Sequence, residues 1–226
     1  PAPAVAELTM GLILNLLRFV HVSNSQLHKG EWSRIFGRRL ANITVGIIGL
    51  GRIGARVIRR MKPFGTPRIL VNDIDTSHRS NLDYKLEWTS KEEIYKEADV
   101  VSLHLPLTRL TKNMIRKEQL LSMKKDASII NVSRGGIINE EDLYDVMKSG
   151  HLSGAAIDVF ETEPYHGKLV EIDRCILTPH LGSMSVDCRL QMEIETTEEA
   201  IRFYKGETLQ NEVPRSEYDT QIDGIK

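Results

Sequence analysis

Apolar residues along this chain fall into short continuous runs set between longer segments of helical periodicity. Runs of strand length occupy positions 44–48, 68–71, 100–103, 128–132, 155–159 and 175–177, and most are separated by helical stretches. Near-continuous apolar runs that alternate with helices predict parallel strands buried on both faces. Six of them predict an α/β fold with a doubly wound parallel sheet. Two helix starts are marked. Ser90-x-x-Glu93 is a capping-box pattern, and Asn139 offers an N-cap to a helix that Gly150 stops. Positions 4–20 predict a strongly apolar helix, followed by a polar loop over 23–37 that carries Trp32. A long helix is predicted over 186–204, ending at Gly206, with a polar tail to Lys226.

The first strand runs into VGIIGLGRIGARV, in which Gly49-x-Gly51-x-x-Gly54 opens a helix. A strand, such a turn and a helix make the dinucleotide fingerprint: a tight turn, a close backbone approach to a pyrophosphate, and close helix packing. The bare motif is weak, and its context decides. Asp73 ends the second apolar run, about 20 residues beyond the glycines, where an acidic side chain accepts bonds from an adenosine ribose and repels a 2′-phosphate. That favours NAD over NADP. Two readings compete: Asp73 could simply cap a turn with Asp75, and Arg79 could tolerate a phosphate.

Composition narrows the field. Of 226 residues, 41% are hydrophobic and 27% charged, as in a globular chain, and 30 Lys+Arg against 31 Asp+Glu leave no bulk field to attract nucleic acid or an anionic membrane. Cys175 and Cys188 form no C-x-x-C pair and suit a reducing, cytoplasmic setting. The apolar run at 8–20 contains Asn15 and Arg18 and is too short to cross a bilayer. It also lacks the marks of a signal peptide. His21, His28, His78, His151 and His166 show no metal-ligand spacing, so no metal is expected. Trp32 and its basic neighbours read as an interface or a solvated loop, because no recognisable nucleic-acid module accompanies them.

In doubly wound sheets ligands gather at the carboxyl ends of the strands. There this chain places unusual residues: Arg134 in NVSRGG, Asp158 and Glu163 in AAIDVFETEP, and His180 in LTPHLGS. A cation, carboxylates and an imidazole at one crevice fit an acid–base site better than a packing solution. With VAELTMGLILNLLR, GIIGLGRIG, VVSLHLPLT, TKNMI, NVSRGG, GAAIDVFETEP and LTPHLGS in this order, the chain resembles the D-isomer-specific 2-hydroxyacid dehydrogenases, near the phosphoglycerate dehydrogenase branch. The resemblance covers about 5–183, with a weaker match beyond.

The resemblance implies that Arg134 binds the substrate, Glu163 is the carboxylate paired with the catalytic histidine, and His180 is the proton donor. It implies that Asp158 holds the nicotinamide carboxamide and that Arg52 and Ile53 line the pyrophosphate turn. Leu105, Pro106, Val132, Ser133, Leu181, Gly182 and Ser183 would flank the cofactor. Glu163 would keep the imidazolium charged and oriented, and Arg134 offers a planar fork for a substrate carboxylate. Glu161 is the rival carboxylate, Arg134 could instead pair with Glu140 or Glu141, and His104 reads as structural. Members of the family begin with a substrate domain that this chain lacks. The expected organisation is therefore an NAD-binding domain over 1–183, with 184–226 completing the absent domain. The expected function is hydride transfer between NAD(H) and a small 2-hydroxy or 2-keto acid, in a homodimer whose interface the apolar N-terminal helix helps to form. The alternatives are an NAD-sensing module similar to the family's corepressors, and a cofactor-binding fragment without turnover.

Overall fold

A computed structural model describes residues 1–65, 67–75 and 84–212. Its elements in chain order are α1 (Ala2–Arg18), α2 (Val20–His28), β1 (Thr44–Ile48), α3 (Arg52–Met61), β2 (Arg68–Asn72), β3 (Leu86–Trp88), α4 (Lys91–Glu97), β4 (Val100–Leu103), α5 (Lys117–Ser122), β5 (Ser128–Asn131), α6 (Glu140–Ser149), β6 (Gly154–Ile157), β7 (Cys175–Leu177) and α7 (Val186–Lys205). The strands form one sheet in the order β3-β2-β1-β4-β5-β6-β7. Every pair is parallel. All strand carboxyl ends therefore lie along one edge. The order reverses between β1 and β4, which is where such sheets open a crevice.

The apolar runs of the central strands are continuous because β1, β4, β5 and β6 are covered on both faces. Val101, Leu103, Ile129 and Ala155 pack with Ile94, Leu120, Leu143 and Met147 on the α4, α5 and α6 side. Val45, Ile47, Val100, Ile130 and Ala156 pack with Ile13, Leu16, Val57, Ile58 and Met61 on the α1 and α3 side. Period two sends alternate residues into two layers. The Ser90 side chain accepts the Glu93 N–H at 3.1 Å, and Asn139 accepts the Asp142 N–H at 3.0 Å, so both marked N-caps form.

Three elements differ from the sequence reading. The polar loop begins later, because α2 occupies Val20–His28; α1 ends at Phe19, whose φ of 52° places it in the left-handed region. The Asn15 carboxamide oxygen accepts the His21 N–H at 3.0 Å and helps turn the chain into the second helix. A short seventh strand, β3, joins the edge. The apolar excess of α1 is buried within the chain, with Val5, Met10, Ile13 and Leu17 in the core, so α1 itself offers little apolar surface to a partner. Exposed apolar side chains lie just after it instead, at Leu27, Trp32 and Phe36.

Among the described residues no single helix is long and apolar enough to cross a membrane; the α1 and α2 pair passes only in combination, bent by 64°. Helix α7 buries none of its residues and exposes Val186, Leu190, Ile201 and Phe203. The Pro214 tail and Arg79 lie outside the described residues.

Candidate active site

The glycine turn is built by close approach. Gly49 has φ +98°, and a Cβ there would sit 2.3 Å from the His104 carbonyl oxygen. At Gly54 a Cβ would lie 2.2 Å from the Gly49 carbonyl oxygen, so α3 leans directly on the turn. Gly51 is different: nothing lies within 4 Å of its Cβ position. It is the N-cap of α3 and supplies no side-chain cap, and in the first turn Arg52 is exposed and Ile53 half-buried. A helix N-terminus without a side-chain cap beside a vacant approach fits a pyrophosphate. Asp73 stands beside this turn, accepting the Leu50 N–H and, at 2.8 Å, the Asp75 N–H. It therefore makes the turn contact with Asp75 and touches the glycine loop as well.

After β4 come His104, Leu105 and Pro106. Leu105 packs against Gly49, with Cδ2 3.1 Å from its Cβ position, and Pro106 is exposed. The His104 ring bonds to the Ser102 hydroxyl through Nε2 at 2.9 Å, while Nδ1 is buried without a partner. Burial pushes this imidazole down to about 4, which keeps it neutral and suits a structural group.

The turn after β5 is organised by Asn131, a residue to which the sequence reading gave no role. Its Oδ1 accepts the Ser133 N–H at 3.1 Å and the Ser133 hydroxyl at 2.8 Å, and its Nδ2 donates to the Arg134 carbonyl at 2.9 Å. Val132 and Ser133 are consequently buried, with the Ser133 hydroxyl already engaged, whereas Arg134 is exposed. The Arg134 guanidinium donates to the Ser133 carbonyl at 2.6 Å. Among the described residues it does not pair with Glu140 or Glu141: Glu141 takes Lys168, and Glu140 accepts the Glu161 N–H at 2.7 Å. At Gly135 a Cβ would fall 1.9 Å from the Phe160 carbonyl oxygen, so the β5 and β6 turns are pressed together.

Glu163, rather than Glu161, meets the histidine. His180 Nδ1 lies 2.9 Å from Glu163 Oε2, and Glu163 Oε1 accepts the Phe160 N–H at 3.1 Å. Burial pushes the Glu163 carboxyl up, but His180, the Phe160 amide and the nearby Arg134 charge together outweigh it and hold the group below the usual carboxylate range. The pair remains open to solvent, with side chains 49% and 40% exposed, so its attraction alone adds little stability. Phe160 and Tyr165 stack at 4.2 Å behind it. They wall an apolar cavity of about 570 Å³ with Pro164, Val170 and Leu177, which reaches Glu163 and His180 but not the glycine turn.

Asp158 is fully buried, and Gly182 packs on it. Ser183 is half-buried just beyond, and Leu181 is exposed. Cys175 and Cys188 are free thiols, the first pushed up to about 12 by burial. No group of three or more metal-ligating side chains comes together among the described residues. The strand ends thus bring Glu163 to His180, with the Arg134 charge felt at Glu163, while the glycines, Asp73, His104 and Leu105 gather around β1.

Residues 10–182 match the family described as D-isomer specific 2-hydroxyacid dehydrogenase, NAD binding domain. The chain is 37% identical to a D-3-phosphoglycerate dehydrogenase of Bacillus subtilis (strain 168), over 90% of this chain and 39% of the relative. It is 36% identical to a hydroxypyruvate reductase of Thermotoga maritima, over 89% of this chain and 66% of the relative. It spans less than two thirds of the length of these relatives. The fold is similar to that of a D-lactate dehydrogenase from Aquifex aeolicus complexed with NAD and lactic acid, with a TM-score of 0.83 and 31% identity over 91% of this chain and 67% of that one. The TT0316 protein from Thermus thermophilus gives a TM-score of 0.85 at 33% identity, over 94% and 68%. The parallel sheet, the glycine turn and this match together establish that the chain belongs to the D-isomer-specific 2-hydroxyacid dehydrogenases and comprises their NAD-binding domain.

Proposed function

We propose that the polypeptide carrying this chain is an NAD-dependent oxidoreductase that interconverts a small D-2-hydroxy acid and its 2-keto acid. The observation that carries this reading is the 2.9 Å pair of His180 and Glu163 on the same sheet edge as the open glycine turn. Gly49, Gly51, Arg52, Ile53, Gly54 and Asp73 would hold the pyrophosphate and adenosine half of the dinucleotide. Leu105, Pro106, Val132, Ser133, Asp158, Gly182 and Ser183 would flank its other half. When bound, the cofactor supplies or accepts the hydride.

The chain's own residues supply the rest. Reduction of a ketone requires a proton at the carbonyl oxygen as the hydride reaches carbon, and His180 is the acid. Its Nδ1 is directed to Glu163, which leaves Nε2 to face the substrate oxygen. Glu163, held below the usual carboxylate range, accepts from Nδ1 and fixes the ring. Arg134 offers its fork to the substrate carboxylate and polarises the reacting carbonyl. In the oxidising direction His180 is the base.

We further propose that 1–183 form the cofactor domain and that α7 and the tail complete a substrate domain, a role that suits a helix with no buried residue. Trp32 and Phe36, 78% and 98% exposed, support a homodimer built on this segment. Two free thiols support a reducing, cytoplasmic setting. The test is a panel of 2-keto acids offered to the full-length polypeptide with NADH and with NADPH, followed by nicotinamide absorbance. Turnover of at least one acid, faster with NADH, is expected; turnover of none would reject the reading.

A further inference from the structure

Asp158 directly follows β6 as a fully buried carboxylate. Among the described residues, the hydrogen-bond partners of its side chain come from the segment that carries His180. Oδ1 accepts the Thr178 hydroxyl at 2.6 Å and the Leu181 N–H at 2.7 Å, and Oδ2 accepts the Gly182 N–H at 2.9 Å. The Asp158 carbonyl accepts the His180 N–H at 2.9 Å. No ion pair to Asp158 exists among the described residues, so these donors carry its satisfaction. His180 itself lies in the left-handed region at φ 55°, which L side chains keep only where the surroundings over-determine it. Gly182 is held between Asp158 Oδ2 and Val5 of α1, each 3.3 Å from its Cβ position. The loop therefore has little room to relax.

We propose that Thr178 and Asp158 are positioning residues for His180. The Thr178 hydroxyl orients the buried carboxylate, and the carboxylate clamps the Leu181 and Gly182 amides so that the imidazole is presented to Glu163. An ionised carboxylate has about four lone-pair sites, and three are taken here, so one is left for a cofactor amide. One carboxylate thus sets the proton donor and remains able to touch the nicotinamide end. The glycine turn, at β1, is built by other residues, so cofactor affinity and donor placement should separate on substitution.

The test compares T178V and T178S in the full-length polypeptide. Four readouts are used: steady-state kinetics, NADH affinity by fluorescence, thermal unfolding, and the ring resonances of His180 by nitrogen-edited NMR without cofactor. Loss of one hydrogen bond to a charged group predicts that T178V lowers kcat about ten- to a hundredfold while NADH affinity changes less than about threefold. Its His180 ring signals should shift away from the wild-type position, and T178S should restore both kcat and spectrum. Wild-type kinetics and spectrum in T178V would overturn the proposal. So would equal loss in T178V and T178S, or a fall in NADH affinity and thermal stability that matches the fall in kcat. The kinetic arm rests on the proposed reaction, whereas the spectrum does not. If the wild type turns over no keto acid, that reading fails alone, and the ring resonances still decide the positioning role.

Discussion

Replacing Gly54 by alanine puts a methyl carbon 2.2 Å from the Gly49 carbonyl oxygen and 3.3 Å from Ile47 Cγ2. Neither neighbour can turn aside, since one is backbone and the other is a core side chain of β1. Relief to ordinary contact requires α3 to move off the strand by about 1 Å. Overpacking of this kind costs about 1–3 kcal/mol, or about 3–9 °C in Tm for a chain of this size. Gly51→Ala is the control that separates packing from binding. Its φ of −73° suits alanine and its Cβ position is empty, so stability should hold to within about 0.5 kcal/mol. The new methyl would nevertheless stand where the dinucleotide backbone must approach. NADH affinity should fall at least about tenfold, a loss of about 1.4 kcal/mol. Thermal unfolding and NADH fluorescence titration on both variants read the two effects. Wild-type NADH affinity in G51A would exclude Gly51 from the cofactor site, and wild-type Tm in G54A would exclude Gly54 as a packing contact.

Glu163→Gln keeps the shape of the pair and removes its charge. The turnover of keto acid should fall about tenfold, at the low end for a charged hydrogen bond because the pair is open to solvent, while NADH affinity holds. Wild-type turnover in steady-state kinetics would exclude Glu163 as the partner. His104 predicts a pH effect on stability. Its folded value of about 4 lies below the unfolded 6.5, so between these limits the unfolded state binds the extra proton and stability falls as pH falls. The loss should reach about 2 kcal/mol at pH 5. Urea unfolding at pH 7 and pH 5 measures it; His104→Gln should flatten that difference, and an undiminished pH dependence would contradict the assignment.

Much of the fold was legible because strands covered on both faces read as apolar runs, and six of the seven strands announce themselves in that way. The seventh, Leu86–Trp88, is a three-residue edge strand with the charged Glu87 at its centre, so no apolar run emerges. Helix α2 was hidden because it buries none of its residues and so shows no apolar stripe. At the site, residue types after each strand end were readable, since a parallel sheet sends them all to one edge. Their hydrogen bonds were not. Thr178 meets Asp158 because Ile157 pairs with Leu177 across β6 and β7, and a sequence carries no direct record of register. Glu163 was separated from Glu161 by the Phe160 amide, a backbone donor that no side-chain pattern reveals. Asn131 acts wholly through local bonds to Ser133 and Arg134, and its only signal was a polar residue at the end of an apolar strand.

In the proposed reaction His180 gives the proton as a 2-keto acid is reduced. The most direct measurement compares wild type and His180→Ala in the full-length polypeptide, with NADH consumption and NADH affinity recorded on the same samples. Loss of a general acid predicts a fall in kcat of about 10² to 10⁴ with NADH affinity unchanged. Turnover near the wild-type rate in His180→Ala would contradict the account.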